Sequence, residues 1–109
     1  MSVLRIRSCR RYAVRSEAKL KAKGQRARRC LLIELSQMGA RISGLGKHSL
    51  SEGEEISLET AHARPIKAIV SWSDENRAGL RLTQPLHLNE LSDFVASARK
   101  AIADQAQVA

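Results

Sequence analysis

Two short stretches of the chain carry side chains suited to gripping an anion. In CRRYAVR, Cys9 to Arg15, the guanidiniums of Arg10, Arg11 and Arg15 fall close together. Each is a planar fork that clamps phosphate through paired N–H donors and can also stack on a flat ring. Further on, ELSQMG places Glu34, Ser36 and Gly39 within one turn-like segment. A carboxylate and a hydroxyl suit the edge of a base, and guanine N1–H and N2–H₂ are matched donors for the carboxylate. Gly39 permits a backbone shape or a close approach that a Cβ would forbid.

Other chemistries find little support. Cys9 and Cys30 make neither a disulfide framework nor a metal site. Cys30, beside a Leu-Leu-Ile run, reads as a buried thiol, and Cys9 has no base or catalytic neighbour. His48, His62 and His87 are scattered and read as surface or rim residues. Glu54, Glu55 and Glu59 read as a solvated strand face. GLG at 44–46 lacks the GxGxxG and GxxxxGK patterns of nucleotide-binding loops. The chain therefore reads as a binding domain without catalysis, metal or cofactor.

Charge adds a direction. Residues 1–30 hold eleven Lys and Arg against one acid, Glu17, whereas the remaining residues hold eight bases and ten acids. The basicity belongs to one end of the chain, and folding is expected to gather it on one side, where it attracts anions. Charge alone also suits RNA or DNA, but one Trp, one Tyr and one Phe are too few for a base-stacking surface, so no specific nucleic-acid partner is expected. No apolar run approaches twenty residues and Met1–Arg15 lacks the apolar centre of a signal peptide. No membrane insertion is expected, and the expected location is the cytoplasm.

The elements that must position these groups follow from periodicity. At 109 residues the chain makes one domain. Residues 1–15 read as a flexible basic arm. Ala18, Leu20 and Ala22 alternate with Lys19, Lys21 and Lys23, predicting a half-buried strand that ends at Gly24. CLLIEL predicts a second strand, and SQMG a turn. Brief strands follow through Ala40 and Ile42, then Ile56 and Leu58. PIKAIVSWS alternates most strongly, with Ile66, Ala68, Val70 and Trp72 expected on one face, and AGLRL returns through Leu80 and Leu82.

After Pro85 the period changes: Leu88, Leu91, Phe94, Val95, Ala98 and Ile102 mark an amphipathic helix with Asn89 as its expected N-cap. The fold class expected is all-β: a six-stranded antiparallel barrel over residues 16–102 that includes a covering C-terminal helix, with a frayed tail at 103–109. A hairpin returns the end of its second strand to the start of its first. The arginine arm and the ELSQMG turn are therefore expected at one rim.

These residues resemble a known family. RRYAVR looks like the RRxxxR opening of PilZ domains, and ELSQMGARI resembles their DLSxxGARI wording. Their later V-x-W and G-L-x-F segments look like IVSW and AGLRL. The resemblance covers about residues 8–95. It implies a split barrel of the PilZ kind that binds the bacterial messenger cyclic di-GMP. Arg10, Arg11 and Arg15 would then hold phosphate and guanine, Glu34 and Ser36 would read a guanine edge, and Gly39 would leave room for the ring. The family has Asp or Asn where this chain has Glu34, one methylene longer. The implied mechanism is an order–disorder switch in which the arm folds over a −2 ligand. So small a receptor would signal through a protein partner, which the sequence does not name. Since some PilZ domains are adaptors that bind protein and ignore the messenger, a ligand-independent adaptor is the alternative.

Overall fold

A computed structural model describes residues 10–46 and 50–108, with side chains described as far as Ala103. Six strands form a closed antiparallel barrel in the order β1-β2-β3-β6-β5-β4, with β4 pairing back to β1. The strands are β1 Tyr12–Ala22, β2 Arg28–Leu35, β3 Gly39–Ser43, β4 Glu55–Thr60, β5 Ala63–Ser73 and β6 Arg77–Leu82, followed by one helix, α1 Leu88–Val108. The barrel and terminal helix expected from the pattern are both present.

Strict alternation builds the walls. In β1, Val14, Ser16, Ala18, Leu20 and Ala22 turn inward while the residues between them are exposed or half-buried. Burying such an apolar set is the main favourable term in forming the sheet. The strand starts at Tyr12, earlier than the sequence pattern suggests, so Arg15 stands on the ladder and not in a preceding arm. The early half was hidden because a serine, Ser16, occupies one of the inward positions. Arg10 and Arg11 precede the strand; Cys9 and His48 lie outside the described residues.

The barrel end formed by the start of β1, the β2–β3 turn and the β4–β5 turn is closed by α1. Leu91, Phe94, Val95 and Ala98 are buried and join the core of the barrel. The His62 ring meets Phe94 edge-on with centroids 5.5 Å apart. Arg64 at the start of β5 grips Glu90 with Nε 2.8 Å from Oε2 and Nη2 3.3 Å from Oε1.

The helix departs from expectation at both ends. It begins at Leu88, so the capping position is His87, not Asn89. Glu90 accepts the His87 N–H at 3.0 Å, which is the returning half of a capping box. At the other end the helix continues to Val108, through most of the segment expected to fray. Cys30 is buried, and that burial, opposed by nearby Arg28, pushes its thiol up to about 11.

Candidate functional site

Outward-facing residues of neighbouring strands line up in rows across the barrel wall. One row runs Ala13 in β1, Glu34 in β2, Arg41 in β3, Gly79 in β6 and Trp72 in β5, each directly opposite the next. The row beside it includes Gly39 in β3 and Arg81 in β6. Directly opposed side chains on one face lie within contact range, so every member of a row is positioned by the hydrogen-bond register.

Glycine opens this wall. A Cβ at Gly79 would overlap the indole of Trp72 at Nε1, so the ring lies flat across the backbone of β6. Trp72 is 39% exposed, although core residue Val70 stands two positions before it on the strand. Arg41 leans in from the other side of the gap, its Cζ 5.8 Å from the Trp72 ring centroid, within cation–π range. Its Nη2 also lies 3.9 Å from Glu34 Oε1. One guanidinium thus sits between a carboxylate and an aromatic face.

Trp72 overturns one expectation from the sequence. Alternation had grouped it with Ile66, Ala68 and Val70, all of which are buried. A register shift between Val70 and Trp72 adds one residue to β5 relative to β6, and the alternation inverts there. Ser71 and Trp72 are consequently both exposed.

At one margin of the wall the ELSQMG turn is held by its serine. Ser36 is 6% exposed, and its Oγ accepts the Gly39 N–H at 3.0 Å and the Met38 N–H at 3.3 Å. The Ser36 N–H donates to the Gly39 carbonyl at 2.9 Å. Gln37 ties the turn to the segment before α1, its Nε2 donating to the Leu86 carbonyl at 3.0 Å. Gly39 has ordinary strand dihedrals; a Cβ there would stand 2.9 Å from the Leu80 carbonyl oxygen, so the glycine serves the close approach of β3 to β6. The Ser36 hydroxyl is committed to shaping the turn.

Together these pieces frame an open cleft of about 680 Å³, within the roughly 300–1,000 Å³ of small-molecule sites. Of the six residues expected at a binding site, Arg11, Glu34, Ser36 and Gly39 line it. Arg10 and Arg15 are exposed but do not line it. Arg15 projects from β1 on the same outward face as Ala13, two residues along from the Glu34 row. The cleft also takes in Met38, Arg41, Trp72, Gly79 and Arg81, which sequence reasoning left out. Arg41 and Arg81 could have been found by following outward parity along GARIS and RAGLRL; Trp72 could not, because no sequence signal marks the bulge.

The charged lining is Arg11, Arg41 and Arg81 against Glu34. With Met38 and Trp72 both partly exposed beside those cations, the cleft suits a ligand with a flat ring and more than one negative charge. Among the described residues no group of three or more His, Cys, Asp or Glu is placed to hold a metal ion.

No family model matches the sequence, and no curated protein matches it. Among solved structures, the chain is similar to the Bacillus subtilis inhibitor of motility (MotI/DgrA), with a TM-score of 0.61 and 16% sequence identity. The likeness covers 90% of this chain and 52% of the other, so the chain spans about half the length of that protein. What the two share is the fold.

Proposed function

We propose that this domain is a receptor for cyclic di-GMP that signals through a protein partner. The observation that carries the reading is the convergence of Arg11, Glu34, Ser36 and Gly39 on one cleft that also exposes Trp72. A guanine ring packs against the exposed parts of Trp72 and Arg41, while the Glu34 carboxylate accepts from its N1–H and N2–H₂ edge. Phosphate is clamped by Arg10 and Arg11 as the basic segment before β1 is drawn across the cleft. Arg15, projecting beside the same wall, adds a third guanidinium to that clamp. Binding and closure are then one event, and the closed surface is what a partner reads. The likeness to an inhibitor of motility fits a regulatory domain without catalysis.

Calorimetric titration of the purified protein with cyclic di-GMP tests the reading. Saturable heat is expected at micromolar ligand, abolished by Arg11→Glu, with affinity equal or improved in Glu34→Asp. Absence of saturable heat at tens of micromolar overturns it, and the fitted stoichiometry separates a single messenger from a stacked pair.

One observation favours a second reading. Glu34 already faces Arg41, so its carboxylate is partly engaged without any ligand. In a ligand-independent adaptor that pair is a surface ion pair and the partner docks regardless of messenger. Capture of a partner unaffected by cyclic di-GMP and by Arg11→Glu is the result expected of such an adaptor.

A further inference from the structure

The pairing of β3 with β6 sets arginines and glycines in a checkerboard. Gly39 faces Arg81, and Arg41 faces Gly79. Arg41 therefore meets the Trp72 indole laid over Gly79, and Arg81 has no side chain opposite it on β3. The two arginines are diagonal neighbours, with backbones about 7–8 Å apart, close enough for two long side chains to converge on one guest. Arg41 is oriented by Glu34 on one side and by the Trp72 face on the other. Arg81 is exposed and, among the described residues, has no carboxylate within ion-pair distance. Both line the cleft, and both are carried by strands of the closed barrel, independent of the segment before β1.

We propose that Arg41 and Arg81 form a phosphate-binding floor that works without the Arg10–Arg11 segment. Its ligand class is a phosphate-bearing anion, phosphodiesters included. Resting on the receptor reading above, the two phosphates of a cyclic dinucleotide are divided, one to the floor and one to the arginines that precede β1. The floor then takes one phosphate on strands already in place, and Arg10 and Arg11 take the other. A preformed, rigidly mounted cation pair captures an anion without the ordering cost that a chain segment must meet.

The test is NMR titration of the whole chain with inorganic pyrophosphate, reading the Trp72 indole N–H and the amides of Gly79 and Gly39. In wild type these signals shift saturably, whereas the amides of Lys19 and Arg29, on a different part of the wall, do not follow the same curve. Arg41→Gln with Arg81→Gln weakens the response by at least about tenfold, as expected for losing charge-assisted hydrogen bonds. Arg10→Gln with Arg11→Gln weakens it less than the floor double variant does, and the response still saturates. The single change Arg81→Gln, at an exposed position with no ion-pair partner among the described residues, supplies a variant with minimal effect on folding and weakens the response several-fold. Shifts that persist in the floor variants, or that vanish in the Arg10/Arg11 variant, overturn the proposal. Pyrophosphate binding at the floor together with no response to cyclic di-GMP keeps the floor and overturns the receptor reading.

Discussion

The barrel wall carries two very different faces built from the same strand alternation. Over β3, β6 and β5, glycines alternate with arginines, a Trp ring lies down, and a cleft opens. Over β1, β2 and β4, long charged side chains stand directly opposite one another, as Lys19 does with Arg29 and with Glu59. A hollow of about 440 Å³ exists there too, but its charged lining is Glu17 and Glu59 against Lys19 and Arg29, which balance. The cleft on the other face has three cations to one carboxylate. A surplus of basic residues along the chain thus does not by itself give a hollow a net positive lining. What distinguishes the cleft face is missing side chains, which let the remaining ones lie against backbone and line one shared hollow.

The sharpest way to break this contrast is to fill the gap. Gly79→Val should drive Trp72 off β6, shift the emission of the chain's single Trp to the red, and remove ligand binding. Overpacking of this kind costs about 1–3 kcal/mol of stability, which denaturant melts followed by circular dichroism will read. Unchanged Trp emission would mean the ring does not rest where Gly79 leaves space.

Next in size is Ser36→Ala. It leaves the Met38 and Gly39 amides without their acceptor at the margin of the cleft, an expected loss of about 1–2 kcal/mol. Affinity should fall with it, through the shape of the turn. A fall in affinity with no change in stability would instead assign the hydroxyl to direct ligand contact.

A third effect depends on pH. The guanidinium of Arg64, helped by the His87 amide, lowers the Glu90 carboxyl to about 2 from an ordinary value of 4.5. A depressed carboxyl contributes stability that is fully present above the ordinary value and is lost as pH falls towards the folded one. Wild type should therefore melt above Glu90→Gln at pH 6, and the gap should shrink between about 4.5 and about 2. A gap that stays constant through that interval would contradict the pairing.

The smallest effect belongs to the other face. Lys19→Ser removes one solvated cation and should change stability by no more than about 0.5 kcal/mol, with affinity for cyclic di-GMP unchanged. A substantial loss of affinity would show that the standing charges steer ligand as well.

How much of this was legible in the sequence varies by element. Hydrophobic period alone located the strands and the helix, because Leu20, Leu32, Leu58 and Leu80 turn inward wherever the pattern put them. Motif chemistry found one margin of the cleft, since Arg11, Glu34, Ser36 and Gly39 are grouped by a single hairpin. The opposite margin stayed hidden. Its members come from β3, β5 and β6, whose pairing is long-range, and Trp72 reaches it only through an extra residue that inverts parity. Gly79 looked like an ordinary strand glycine because nothing local says that an indole will cross it. The helix start was misplaced by two residues since Asn89 is the better intrinsic cap, while the tie from Arg64 to Glu90 fixes His87 in that role.

Ring closure has a consequence for how any second protein could meet this one. With β4 bonded to β1, each strand has a hydrogen-bonded neighbour on both sides. Among the described strands the open rungs are few, as at Tyr12–Glu17 of β1 beyond the reach of β4, which disfavours strand addition as a docking mode. Contact then falls mainly to side chains on the wall or along the helix. A ligand that covers or rearranges those side chains is the kind of signal such contact can detect.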